Sequence, residues 1–196
     1  MGTEFLPEYI LTNYEVHEWK HACAILKYDF PNEWNDLIEL LMNFRINKSW
    51  ITAKGGSKSQ ISSSIDSFLY QKQWVEKEFE TAVMVDDVLM ESPTHKVDCY
   101  KNHVALEIEW NNKDPFFDRD LNNFRLLFDL RAISVGIIIT RCDNLQHVFN
   151  EVGRGGSFGN STTHISKLLP RIEGGSGGGC PVLVFGIKKN LIDENY

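Results

Sequence analysis

Two short runs decide the fold: Lys96–Tyr100 (KVDCY) and Val104–Trp110 (VALEIEW), joined by Lys101, Asn102 and His103. Both carry β-branched and aromatic residues and the link between them has turn character, so the pair reads as a β-hairpin. In the second run Val104, Leu106, Ile108 and Trp110 point one way, and Ala105, Glu107 and Glu109 the other. Glu107 and Glu109 then share a face, with Cα atoms roughly 6.5–7 Å apart. Asp98, on the preceding strand, brings a third carboxylate near Glu107. Clustered oxygen ligands suit a hard divalent ion such as Mg²⁺, which polarises a phosphoryl oxygen and makes a bound water more acidic. The plainer reading is a solvated face, because strands alternating apolar and charged residues usually face water on one side. Two features count against it. Like charges are unfavourable side by side unless a cation compensates, and the next strand along the chain is wholly apolar, which places the hairpin in a central sheet.

That next strand is Ser134–Thr140 (SVGIIIT), apolar on both sides as a strand buried on both faces must be. Between it and the hairpin, Leu121–Arg131 reads as a helix with Leu121, Phe124, Leu127 and Phe128 inward. Pro181–Ile187 (PVLVFGI) reads as a final buried strand. Nine of the 14 glycines fall between Gly153 and Gly179, in loops flanking a short helix expected over Thr163–Leu169. Upstream, the first third reads as helical. Glu33–Arg45 carries one apolar stripe (Trp34, Leu37, Ile38, Leu41, Phe44) with Asn32 as candidate N-cap, and Ile61–Trp74 reads as another helix. The fold class expected is α/β, a mixed central sheet flanked by helices. The chain reads as one domain, with a helical N-terminal part over 1–75 and a core over about 76–187.

The 196 residues are 42% hydrophobic and 24% charged, ordinary for a globular protein. No apolar run approaches the roughly 18–20 residues that span a bilayer, and no secretory leader is visible. A cytoplasmic protein with no membrane partner is expected. Cys23, Cys99, Cys142 and Cys180 form no CxxC pair and read as buried packing residues. His17, His21, His95, His103, His147 and His164 form no HxH or HExxH pattern and read as structural or surface groups. The net charge of −7 argues against a nucleic-acid partner, but it is unevenly spread. Residues 43–75 carry five bases and one acid, and residues 152–172 carry three bases and no acid. A basic face on an acidic body fits this pattern, and so do carboxylates gathered round a metal.

Asp98-x8-Glu107-x-Glu109, followed by an Asn-rich loop, a helix and a buried strand, resembles the PD-(D/E)xK nuclease core. More closely, it resembles the type II restriction endonucleases of the BglII and BstYI group. The likeness extends over Lys58–Ile61, Trp74-Val75-Glu76, the Val104–Trp110 strand, Gly159–Thr163 and Pro181–Val184. The third motif position is usually Lys in the superfamily and Gln in BglII-like enzymes. Glu109 stands there instead, as in the related nuclease BamHI, and a Glu cannot supply the charge of a Lys.

The resemblance implies a Mg²⁺-dependent endonuclease acting on double-stranded DNA. Asp98 and Glu107 would ligate the metal with the main-chain carbonyl of Ile108. Glu109 would orient or deprotonate the attacking water or hold a second ion. Glu76 would reach the metal shell through water, with Glu78 and Glu80 as competitors for that place. Asn111, Asn112 and Lys113 match one recognition loop, and Asn160, Ser161, Thr162 and Thr163 the other; Asn can pair bidentately with adenine. Lys54, Lys58 and Arg154 are candidate phosphate contacts. Taken alone, an Asn-Asn pair after a strand is more often a turn, and surface lysines are usually only solvated. The family forms homodimers, as a palindromic site demands, and relatives read sites centred on GATC. The competing expectations are a non-catalytic protein that keeps the fold and a structure-specific repair nuclease.

Overall fold

In the computed structural model the hairpin stands inside a six-stranded mixed sheet. The structure describes residues 2–53, 58–91 and 94–193. The strands are β1 (Tyr14–Trp19), β2 (Ile46–Asn47), β3 (Val75–Lys77), β4 (Ala82–Val85), β5 (Val88–Glu91), β6 (Val97–Lys101), β7 (Val104–Glu109), β8 (Val135–Arg141), β9 (Val182–Ile187) and β10 (Ile192–Asp193). The helices are α1 (Glu8–Asn13), α2 (Ala22–Asp29), α3 (Pro31–Asn43), α4 (Lys48–Thr52), α5 (Gln60–Gln71), α6 (Phe116–Asp129), α7 (Leu145–Glu151) and α8 (Ile165–Glu173). The main sheet has the order β1-β9-β8-β7-β6-β3. Its centre, β7 to β9, is parallel, and antiparallel neighbours flank it on both sides.

The alternation in Val104–Trp110 sorts side chains onto two cores. Leu106 and Ile108 join Ile137, Ile139, Leu183 and Phe185 against α1–α5 and α7. Ala105 joins Ile138, Val182 and Val184 beneath α6 and α8. Glu107 and Glu109 lie on this second side, at the end of β7 that points toward the loops. Helix α6 approaches closely here. A Cβ on Gly136 of β8 would stand 2.3 Å from the Phe124 ring, so only glycine leaves room for the helix.

Several expectations need correction. The first third is not wholly helical: Tyr14–Trp19 (YEVHEW) is an edge strand antiparallel to β9, which carries the N-terminal part into the main sheet. Only Tyr14 of it is buried. Its charged, half-exposed residues suit a strand at an edge and erase the apolar period that would reveal it. Helix α3 starts at Pro31, a position that suits proline, so Phe30 rather than Asn32 takes the cap. Helix α6 starts at Phe116, five residues before the expected Leu121, with Pro115 at its cap and Asp118 in its first turn. Helix α8 runs on to Glu173 because the stripe Ile165, Leu168, Ile172 continues past Pro170. The hairpin of β4 and β5 turns at Asp86 and Asp87, whose φ values of +47° and +62° fit a tight two-residue turn. It holds Met84, Val88 and Leu89 out to solvent. All four cysteines are buried and free. Among the described residues no helix is long and apolar enough to cross a membrane.

Candidate active site

The β6–β7 ladder stops at the pair Cys99–Leu106. Beyond it, carboxylates take over the main-chain pairing. Asp98 Oδ2 accepts the N–H of Ile108 at 2.9 Å, and Glu107 Oε2 accepts the N–H of Asp98 at 3.3 Å. Each acid is thereby fixed to the other's strand. Behind them Asp66 of α5 is buried, pairs with Lys58 and accepts from the Cys99 thiol.

Four side chains outside the hairpin complete the cluster. His95 Nε2 lies 3.2 Å from Glu107 Oε1 and 3.2 Å from Asp120 Oδ1. Arg119 donates to Asp120 Oδ1 at 2.9 Å and reaches Glu109 Oε1 at 3.5 Å. Asn112 Nδ2 donates to Glu109 Oε2 at 2.9 Å. Glu107, Glu109 and Asp120 are each at most 1% exposed. Burial pushes the carboxyls of Glu107 and Glu109 well above the usual range and Asp120 adds to it; His95 on Glu107, and Asn112 and Arg119 on Glu109, pull back. Asp98 is raised too, first by burial, against the pull of the Ile108 N–H. His95 is pushed down by its own burial, but the hydrogen bonds it donates to Asp120 and Glu107 outweigh that and lift it to about 9. A water-poor group of acids with elevated proton affinity is a site that takes up either protons or a multivalent cation. Asp98 and Glu107 fit a divalent ion by donor chemistry, since both offer hard carboxylate oxygen.

His95, Arg119 and Asp120 escaped the sequence reading. Asp120 sits three residues after Phe117 and one before Leu121, so it lies on the buried stripe of α6. A charged residue on an apolar stripe was the available signal, hidden because the helix was begun at Leu121. His95 precedes Asp98 by three residues but belongs to no ligand motif, so only the fold brings it to Glu107.

Over residues 14–187 the chain matches the family model of the restriction endonuclease BglII/BglIII. The chain belongs to this restriction endonuclease family. Its members are type II site-specific deoxyribonucleases, DNA-binding hydrolases of restriction systems. Comparison with curated proteins returns no match.

For a BglII/BglIII-family chain, the segments resembling recognition loops come together as one surface. Lys113 bridges Thr162, Asp114 N–H donates to Ser161 O at 3.0 Å, and Thr163 N–H donates to Asn112 O at 2.9 Å. Lys113, Asn160 and Ser161 are exposed. Thr162 and Thr163 are buried instead: Arg141 donates to Thr162 Oγ1 at 3.0 Å, and Thr163 Oγ1 accepts the Asn112 N–H at 3.2 Å. Asn111 adopts a left-handed φ of +61° at the strand end. Arg154 donates to Ala53 O at 3.0 Å, tying the glycine-rich loop to α4. Lys58 is engaged with Asp66. Lys54 lies outside the described residues. Glu76 is exposed on edge strand β3 and 3.3 Å from Lys96; Glu78 and Glu80 are exposed as well.

Proposed function

We propose that this chain is a Mg²⁺-dependent endonuclease that hydrolyses phosphodiester bonds of double-stranded DNA at a short palindromic site, with GATC at its centre. The observation that carries the reading is the reciprocal locking of Asp98 and Glu107, which ties a half-buried and a buried carboxylate each to the other's strand in a chain of this family. Asp98, Glu107 and the carbonyl of Ile108 would hold the ion. When bound, Mg²⁺ polarises a phosphoryl oxygen and lowers the pKa of a coordinated water.

Glu109 is the base. Burial raises its proton affinity, and a cation bound beside it would offset that and leave it ionised to take a proton. Asn112 and Arg119 fix both of its oxygens. The attacking water gives its proton to Glu109 as the new O–P bond forms and the bond to the leaving oxygen breaks. Glu76 contributes through water from the edge strand. Lys113, Asn160, Ser161, Asn111 and Asn112 face the DNA, with Lys58 and Arg154 toward phosphates and Thr162 and Thr163 supporting the loop from beneath; Lys54 is a further candidate phosphate contact by its sequence position alone. The chain works in the cytoplasm as a single nuclease domain within a homodimer, because a palindrome presents two identical half-sites.

The test is incubation with phage DNA and Mg²⁺. Discrete, reproducible fragments are expected, and sequencing their ends gives the site. A smear, cutting confined to branched substrates, or intact DNA under all conditions would refute the proposal.

A further inference from the structure

We propose that His95, Glu107 and Asp120 form a second divalent-cation site, with one imidazole nitrogen and two carboxylate oxygens as ligands. The three offer ligand atoms that all lie within 4.8 Å of one another. His95 Nε2 is 3.2 Å from an oxygen of each acid. Ligands 2.0–2.2 Å from an ion and at right angles stand about 3 Å apart, so little movement is needed to admit one.

Asp120 supplies a second, independent observation. It is fully buried, and its Oδ2 has no hydrogen-bond partner among the described residues. Asp120 stands within hydrogen-bonding reach of the Glu109 carboxyl, and when both are ionised neither has a proton to give. A buried oxygen left in that position is costly unless a cation or proton meets it. Glu107 can serve two ions, because Oε2 turns to Asp98 and Oε1 to His95. An entry path exists: His95 and Arg119 line an open pocket of about 240 Å³ with Thr94, Asn122 and Asn123. Water from that pocket completes the coordination.

The nitrogen ligand selects the ion. Mg²⁺ prefers oxygen and water, whereas imidazole and carboxylate together suit Mn²⁺ and its neighbours. Occupancy of this site is independent of the nuclease reading; only a part for the ion in hydrolysis rests on it.

The test titrates Mn²⁺ into the full-length protein. Electron paramagnetic resonance counts free ion, and pulsed experiments look for nitrogen modulation from a coordinated imidazole. Wild type should bind two Mn²⁺ per chain with nitrogen modulation. Half-exposed His95 tolerates replacement, so His95→Gln should fold, bind one ion and lose the modulation. Asp120→Asn should also bind one. Asp98→Asn should bind one and keep the modulation. Wild type without nitrogen modulation, or His95→Gln with two ions bound, overturns the proposal. Two bound ions with no DNA cleavage would instead count against the nuclease reading alone.

Discussion

Glu109 is held in a position that costs the protein stability. Its carboxyl is buried, faces Asp120, and has a proton affinity far above that of a free glutamate. A folded-state pKa above the unfolded value of 4.5 means that its favourable contribution is complete below about pH 4.5 and is lost as pH rises toward the folded value. Glu109→Gln removes the titration while keeping an acceptor for Asn112 and adding a donor for Asp120. The metal-free variant should therefore be more stable than wild type at neutral pH, by about 1–2 kcal/mol. The gap should widen as pH increases from 4.5. Denaturant melts in EDTA across that range measure it, and a gap that shrinks with pH would show that the acid is not strained. The same variant should cleave DNA at least about a hundredfold more slowly, as loss of a general base commonly does.

Elements place these residues, and two of them repay testing. Gly136 in β8 lets α6 descend until Arg119 and Asp120 reach the hairpin acids. Gly136→Ala forces the Phe124 ring and its helix outward and should destabilise the fold by about 1–3 kcal/mol, seen as a lower melting temperature. The paired loops behave differently. Lys113 is exposed and bears on no acid of the cluster, so Lys113→Ala should weaken binding to all DNA sequences alike and reduce the slope of log affinity against log salt by about 1. Asn112 holds Glu109 as well as the loop, so Asn112→Ala should lower cleavage even on DNA already bound. Saturating single-turnover rates separate that effect from affinity. Here the sequence was a partial guide. The hairpin was legible because strand alternation and turn residues agree over Lys96–Trp110. The start of α6 was not, because its first turn, FFDRD, mixes charge and aromatic residues behind a proline and looks like a loop. With that turn went Arg119 and Asp120, and with them half of the candidate site.

At the scale of the molecule, the central strands announce themselves. SVGIIIT and PVLVFGI put apolar residues on both sides because helices cover both faces of the sheet. The edges do not. β1 is half polar, and the β4–β5 hairpin carries exposed Val88, Leu89 and Met84 where a solvated surface would be expected. His95 shows the same limit for function: its chemistry comes from meeting Glu107 and Asp120 in space, which no spacing along the chain encodes. The two-fold symmetry proposed for DNA recognition predicts a sedimentation-equilibrium mass twice that of the chain, and a monomer at micromolar concentration would contradict it. The most direct test of the whole account uses Glu107→Gln, which preserves shape and removes one charge. Wild type and variant are mixed with phage DNA, with binding read in EDTA and cutting read after Mg²⁺ is added. The account predicts that both bind and that only wild type yields discrete fragments. Fragmentation by the variant at the wild-type rate would contradict it.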